Sequence, residues 1–93
     1  MRHRAEQLLH SGVTTARDLG DHGGPALRLA AEVSDRRTPG PTIVSAGTPA
    51  TTVGGRCHFL GGEVSGEAEI RDLVRRDRAA GAGVIKAMSP AAA

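Results

Sequence analysis

Short apolar runs alternate with helix-like segments along the chain, and this alternation constrains the fold more than any single residue does. Helices are predicted near residues 3–11, 25–35 and 66–80, and strands near residues 13–19, 42–46 and 83–88. Strands that alternate with helices usually pair in parallel, with the helices packed on the sheet. The sequence therefore predicts one α/β domain over residues 1–93, with about three parallel strands.

Glycine and proline residues mark the ends of these segments. Gly12 and Gly81 follow the first and third helices, at positions where glycine commonly ends a helix. Pro25 stands at the first position of the second helix, where its fixed φ suits the helical conformation. Residues 48–66 form a glycine-rich connection of about 19 residues, a length that usually indicates a binding loop or a missing structural context. We therefore expect this connection to have a functional origin.

The composition predicts a small core. Thirteen glycines, five prolines and one aromatic residue, Phe59, leave few large side chains to bury. Aromatic residues usually supply much of the buried area of a domain, so the margin of stability is expected to be narrow.

Charge and composition exclude several classes of protein. The net charge is only +2, and no aromatic residues are interleaved with the arginines to stack on bases, which argues against nucleic-acid binding. The single cysteine, Cys57, excludes an internal disulfide, and residues 1–4 do not lead into an apolar signal core. No window approaches the roughly 20 apolar residues that span a bilayer. We therefore expect a cytoplasmic chain with no membrane or nucleic-acid partner.

Lys86 directly follows the apolar run Val84–Ile85. In an α/β barrel the carboxyl ends of the strands face the active site, so a lysine at this point is a candidate for chemistry. The alternative is a strand-end lysine whose ammonium group reaches solvent.

Two further pairs of adjacent residues carry reactive groups. Arg17 and Asp18 lie at the end of the first predicted strand, where they could serve a site or form a structural ion pair. Cys57 and His58 are neighbours in the long loop. If this segment is extended their side chains point to opposite faces, which argues against a nucleophile and base acting together.

Four landmarks in order resemble the amidohydrolase superfamily, and the imidazolonepropionase-like and prolidase-like members most closely. They are Gly12-Val13-Thr14-Thr15-Ala16-Arg17-Asp18-Leu19-Gly20, Gly40-Pro41, Gly54-Gly55-Arg56-Cys57-His58-Phe59-Leu60-Gly61-Gly62-Glu63 and Ala80-Gly81-Ala82-Gly83-Val84-Ile85-Lys86. Together the landmarks extend over nearly the whole chain. The resemblance implies a (β/α)8 TIM-type barrel of which this chain covers about three βα units, corresponding to strands two to four.

The resemblance also implies a metal-dependent hydrolase. Such enzymes hold one or two divalent metals, commonly zinc, and Lys86 matches the carboxylated lysine that bridges them. The His-x-His pair of the family's first strand has no match, because residues 1–11 contain only the isolated His3 and His10. Since a catalytic zinc needs three protein ligands around an open position, the chain alone is expected to bind no metal.

By the same resemblance, His58 and Arg56 are the candidate substrate-binding residues of the glycine-flanked loop. The family often has histidine where Arg56 stands, so this position departs from the pattern. The family also commonly has an acidic residue where Gly83 stands.

Two functional hypotheses follow. In the first, the chain is a fragment of an amidohydrolase that acts on amide or other C–N bonds, including those of dipeptides, and is inactive alone. In the second, it is a non-enzymatic remnant of that fold that oligomerises or docks onto a partner. Both predict self-association or a complementing chain, because a barrel needs roughly 250 residues and open parallel edges invite pairing.

Overall fold

The computed structural model describes residues 1–89 and shows a small α/β arrangement. Three helices and two strands follow one another as α1 (Arg2–His10), β1 (Thr15–Asp18), α2 (Pro25–Ser34), β2 (Thr42–Ser45) and α3 (Gly66–Ala79). A 3-10 helix, His58–Leu60, lies between β2 and α3. The predicted α/β class is confirmed, and the described residues form a two-stranded sheet rather than a closed barrel.

Strands β1 and β2 pair in parallel, from Thr15 beside Thr42 to Asp18 beside Ser45. The N–H of Ala46 continues the pairing by donating to the carbonyl of Asp18 at 2.9 Å. Because the two strands run in the same direction, their carboxyl ends lie at one edge of the sheet. Ligands of parallel α/β sheets bind beyond this kind of edge.

Helix α2 begins where glycine, proline and an acidic side chain act together. Gly24 precedes the helix with a φ of 79°, a conformation that glycine adopts without steric cost, and Pro25 follows it. The carboxylate of Asp21 accepts a hydrogen bond from the N–H of Ala26 at 2.7 Å, which satisfies an amide that the helix leaves unpaired. Ala26 and Leu29 are buried, and α2 packs against β2.

Residues 83–88 form no continuous strand, so the prediction of a third strand was wrong for this segment. A single bridge joins Ala87 to Ala50, and the N–H of Gly83 donates to the carbonyl of Ser45 at 3.0 Å. The segment runs beside the end of β2 but exchanges too few hydrogen bonds for a ladder. Ile85 is 47% exposed, so the apolar run gains little of the burial that a central strand provides.

The connection between β2 and α3 is closed by backbone pairing. The N–H of Thr51 donates to the carbonyl of Gly62 at 3.0 Å, and the N–H of Val64 donates to the carbonyl of Thr51 at 2.9 Å. The carboxylate of Glu63 also accepts a hydrogen bond from the N–H of Gly54 at 2.8 Å. Residues 52–61 therefore form a compact Ω-loop that carries the 3-10 helix.

Helix α3 begins after Ser65, has two glutamates in its first turn and buries Leu73. Glu67 and Arg71 form an ion pair one turn apart on the exposed side of this helix. Asp72 lies 3.9 Å from Arg75, three positions further along. None of the helices in residues 1–89 combines the length and the apolar character that a membrane crossing requires.

The core is small, as the composition predicts. The buried apolar side chains are Ala5, Ala26, Leu29, Ala46 and Leu73. Phe59, the single aromatic residue of the sequence, is 70% exposed on the Ω-loop and contributes little to this core. Leu29 and Leu73 are the large aliphatic side chains of this core, and the side chains of Pro41 and Pro49 are also fully buried.

Candidate functional site

Three segments meet at the carboxyl edge of the sheet. The N–H of Asp21 donates to the carbonyl of Gly47 at 3.0 Å, which joins the segments that follow β1 and β2. Ala50 donates its N–H to the carbonyl of Lys86 and accepts one from the N–H of Met88, both at 2.8 Å. These backbone contacts fix residues 86–88 beside the ends of the strands.

An open cleft of about 450 Å³ lies at this edge. We name it the strand-end cleft, and its charged, sulfur-bearing and aliphatic lining includes Arg17, Asp18, Cys57, Leu60, Lys86 and Met88. Its volume falls within the roughly 300–1,000 Å³ of small-molecule sites. The cleft thus has both the position and the size of a ligand site.

A groove of similar volume, about 440 Å³, lies between α1 and α2, so volume alone does not decide between the two. The charged groups of that groove are already engaged. Arg2 pairs with Glu32, Arg37 pairs with Asp35, and Arg28 donates to the carbonyl of Gly23. The strand-end cleft is the better candidate because its cations are not paired in this way.

Lys86 is half-buried and its side chain lines the strand-end cleft. Within residues 1–89 it forms no ion pair. Residues 86–88 are not part of a continuous strand. The two backbone hydrogen bonds that Ala50 makes, with the carbonyl of Lys86 and the N–H of Met88, hold this lysine in place. Lys86 therefore lies at the carboxyl edge of the sheet, although residues 83–88 form no strand.

Arg17 and Asp18 both line the strand-end cleft, and no ion pair joins them in the described part of the chain. The Oδ1 atom of Asp18 instead accepts a hydrogen bond from the N–H of Gly20 at 3.0 Å. The structural ion pair that the sequence left open is therefore not formed. The acidic group serves the turn after β1, and the guanidinium group of Arg17 has no carboxylate partner within residues 1–89.

The Ω-loop separates the residues that the sequence grouped together. Cys57 lines the strand-end cleft, whereas the exposed His58 and Arg56 do not. The Nδ1 atom of His58 lies 3.1 Å from the carbonyl oxygen of Gly55, and its ring meets the edge of Phe59 with 5.9 Å between centroids. His58 is thus engaged within its own loop, and the substrate-binding role of His58 and Arg56 stays a prediction.

His22 links the segment after β1 to the Ω-loop. Its Nδ1 atom lies 3.0 Å from the carbonyl oxygen of Leu60, at hydrogen-bond distance. The ring of His22 is exposed, and its contact with Leu60 ties it to the wall of the cleft that Leu60 forms. This contact joins residues 38 positions apart, which sequence spacing does not indicate.

Asp77 supports the same edge from α3, and the sequence analysis missed it. It is 6% exposed, and its Oδ1 atom accepts a hydrogen bond from the N–H of Thr48 at 3.0 Å. Its spacing was the available signal, because Asp77 lies one turn after Leu73 on the buried face of α3. Burial raises the pKa of the Asp77 carboxyl, and the nearby Asp21 adds to the rise, while the Thr48 N–H and Arg76 oppose it.

Asp21 is the second carboxylate of this region. Its Oδ2 atom caps α2, while its Oδ1 atom is buried without a hydrogen-bond partner in residues 1–89. Burying a polar oxygen without a hydrogen-bond partner costs free energy. The raised pKa of Asp77 makes this part of the fold sensitive to pH.

We expect Asp77→Asn to change stability in a pH-dependent way. The raised pKa means that the folded chain binds this proton more tightly than the unfolded chain, whose carboxyl has its ordinary value of 3.8. Protonation therefore stabilises the fold at low pH, and this contribution is lost as the pH rises through the pKa of the folded state. The urea midpoint of the variant, relative to that of the parent, should increase as the pH rises above 3.8.

Asp72→Asn is the matched control for this series, because Asp72 is exposed on the same helix. Its midpoint relative to the parent should change little over the same pH range. A constant difference between Asp77→Asn and the parent would contradict the expectation.

The described residues do not form a metal centre by themselves. Residues 1–89 contain no group of three or more His, Cys, Asp or Glu side chains that could hold a metal ion. Lys86 has no such group beside it, and a catalytic zinc needs three protein ligands. The donor set therefore does not fit a divalent metal without ligands from elsewhere.

Comparison with known proteins supports a hydrolase origin. A crystal structure of a Xaa-Pro dipeptidase with methionine bound in its active site matches this chain with a TM-score of 0.85 and 29% sequence identity. The match covers 91% of this chain and 24% of the dipeptidase chain. No protein-family model matches the sequence, and no curated protein matches it. The chain is thus similar, over nearly its whole length, to a segment of a Xaa-Pro dipeptidase.

Proposed function

We propose that this chain is a segment of a metal-dependent amidohydrolase of the TIM-barrel type, which acts on amide or other C–N bonds such as those of dipeptides. One observation carries the proposal: Lys86 lines the strand-end cleft of a fold that is similar to a dipeptidase over 91% of this chain. The reaction then requires residues beyond the described ones, in a longer protein or in a complementing chain. Charge and composition support a cytoplasmic location and a protein partner rather than nucleic acid or membrane.

In this proposal Lys86 is the carboxylated lysine of a divalent-metal site, with zinc as the metal. Carboxylation converts an ammonium cation into an anionic oxygen donor, a kind of ligand that divalent metals bind. The half-buried side chain of Lys86 and its freedom from ion pairs in residues 1–89 favour this modification. The remaining ligands would come from outside residues 1–89, since the described donor set does not fit a metal.

A chimera tests the proposal. The matched 24% of the dipeptidase is replaced by this chain, and zinc content and dipeptide hydrolysis are measured on the purified protein. We expect stoichiometric zinc and turnover in the chimera, and neither in the 93-residue chain alone. Lys86→Ala in the chimera should abolish both properties, because it removes a metal ligand.

Arg78→Ala is the control for the chimera, since Arg78 is an exposed residue of α3 and does not line the cleft. It should leave zinc content and turnover unchanged. A folded chimera that retains full activity with Lys86→Ala would contradict the role of Lys86. A folded chimera without zinc or activity would count against the hydrolase origin.

A second candidate function is a non-enzymatic module that oligomerises. It is favoured by the 72% exposure of Val53 and the 70% exposure of Phe59, and by β1, which pairs only with β2 within residues 1–89. An open strand edge of this kind invites pairing with another chain. Sedimentation of the isolated chain at micromolar concentration should show self-association, and a monodisperse monomer would contradict this second candidate.

A further inference from the structure

Two acidic residues hold the short segment that follows β2. The N–H of Asp21, in the connection between β1 and α2, donates to the carbonyl of Gly47 at 3.0 Å. The Oδ1 atom of Asp77, in α3, accepts a hydrogen bond from the N–H of Thr48 at 3.0 Å. That oxygen lies so close to Gly47 that a Cβ atom there would approach it to 2.9 Å. Asp21 and Asp77 therefore hold the same two-residue segment at the carboxyl edge of the sheet.

The side chain of Asp21 has one oxygen that lacks a donor. Its Oδ2 atom accepts a hydrogen bond from the N–H of Ala26 at 2.7 Å, whereas its Oδ1 atom is buried and has no partner within residues 1–89. Most buried polar atoms in folded proteins are paired, because a buried acceptor without a donor costs free energy. The Oδ1 atom of Asp21 is therefore the position where an added donor would stabilise the fold.

Asp77 can supply this donor when it is protonated. Burial raises the pKa of its carboxyl, the N–H of Thr48 and the guanidinium of Arg76 oppose the rise, and the nearby charge of Asp21 adds to it. Residues 80–83, which follow α3, contain no titratable side chain. A protonated carboxyl keeps an oxygen that can accept from Thr48 and gains an O–H that can donate. Protonation thus gives Asp77 a donor without loss of its contact with Thr48.

We propose that Asp77 donates a proton to the Oδ1 atom of Asp21 in a hydrogen bond, and that this bond is a pH-sensitive latch between α3 and the carboxyl edge of the sheet. The proton comes from solvent, Asp21 stays a carboxylate that caps α2, and no bond between heavy atoms changes. A hydrogen bond from a neutral carboxyl to a carboxylate is short and about twice as strong as one between neutral groups. The latch forms at acidic pH and is lost as the pH rises through the pKa of Asp77 in the folded chain.

The latch has consequences because α3 has few other attachments. Leu73 and Asp77 are the buried residues of this helix. The carbonyl of Asp77 also accepts a hydrogen bond from the N–H of Ala82 at 2.9 Å, and the N–H of Gly83 donates to the carbonyl of Ser45 at 3.0 Å. Loss of the latch therefore loosens α3 together with the segment that leads from it to the strand-end cleft.

Amide hydrogen exchange of the 93-residue chain, measured by NMR in a pH series that begins at 3.8, tests the latch. Each rate is compared with that of an unstructured amide at the same pH, so that only protection by the fold is measured. We expect the protection of α3 relative to β2 to fall by about tenfold or more as the pH rises, the size expected when a hydrogen bond to a charged group is lost. A constant ratio across the series would overturn the inference.

Asp21→Asn distinguishes the latch from a carboxyl that is merely buried. Asparagine caps helices as well as aspartate does, so its carbonyl oxygen keeps the bond to Ala26 and its NH2 group takes the place of Oδ1. That NH2 group donates to the Asp77 carboxylate, and we expect protection of α3 that no longer falls above pH 3.8. A fall as large as in the parent chain would contradict the latch. Asp72→Asn, which removes an exposed charge from α3, should leave the fall unchanged.

The double variant, Asp21→Asn with Asp77→Asn, gives an independent test. The contacts with Ala26 and Thr48 hold the two amide oxygens, which turns the two NH2 groups toward each other. Although both charges are gone, we expect the protection of α3 to be about tenfold lower than in either single variant, because a donor then faces a donor. Burial alone predicts equal or higher protection. That result would overturn the latch, even if one of the single variants failed to fold.

Discussion

Gly62→Ala is expected to lower the free energy of unfolding by about 3 kcal/mol, near the upper end for overpacking substitutions. A Cβ atom at this position would overlap the carbonyl oxygen of Pro49, which is backbone and cannot turn away. Gly62 also accepts the hydrogen bond from Thr51 that closes the Ω-loop, so relief of the clash would open that pairing. The urea midpoint and the amide shifts of the Ω-loop measure the effect.

Gly54→Ala is the matched control in the same loop. A Cβ atom there would meet no atom within 4 Å, but the φ of 69° makes the substitution strained. Gly54→Ala should lower the free energy of unfolding by only about 1 kcal/mol, because it adds the conformational strain but no steric clash. If Gly62→Ala and Gly54→Ala lowered the free energy of unfolding equally, the contact with Pro49 would add nothing to the cost of the substitution at Gly62.

Leu29→Ala is expected to cost about 3 kcal/mol, as is usual for removing a buried leucine side chain. Leu29 is 4% exposed in α2 and is one of only two buried leucines in residues 1–89. Domains of this size have roughly 5–15 kcal/mol of total stability, so the loss is a large share of the whole.

Leu8→Ala provides the comparison for this core variant, because Leu8 is 43% exposed on α1. It should lower the urea midpoint much less than Leu29→Ala does. Similar decreases in the urea midpoint for Leu29→Ala and Leu8→Ala would mean that the small apolar core does not hold α2 to the sheet.

The fold was predictable where one segment carries several independent signals. Helix α2 has glycine, proline and apolar residues at helical spacing, and the structure places it at Pro25–Ser34. Residues 83–88 carry only one signal, an apolar run after glycine, and a strand also needs a neighbour with free hydrogen-bonding groups. Strand β2 ends at Ser45, and beyond it only Ala50 pairs with this segment, so the predicted strand is reduced to a single bridge.

The candidate site was predictable only in part. Lys86 and Arg17 follow from the rule that strand ends face a site, and both line the strand-end cleft. Leu60 and Met88 were not predictable, because backbone pairing of the Ω-loop and of Ala50 decides where they lie. Asp77 could have been found, since a carboxylate one turn from Leu73 belongs to a buried face and needs a partner.

The closure of the Ω-loop has a consequence for how this region can evolve. Thr51 exchanges backbone hydrogen bonds with Gly62 and Val64, which brings the two ends of residues 52–61 together independently of what lies between them. Closing a longer loop costs only slightly more entropy than closing a shorter one. Insertions or replacements within residues 52–61 can therefore accumulate while the backbone pairing of Thr51 with Gly62 and Val64 stays intact. Relatives could acquire new recognition properties by exchanging this one segment.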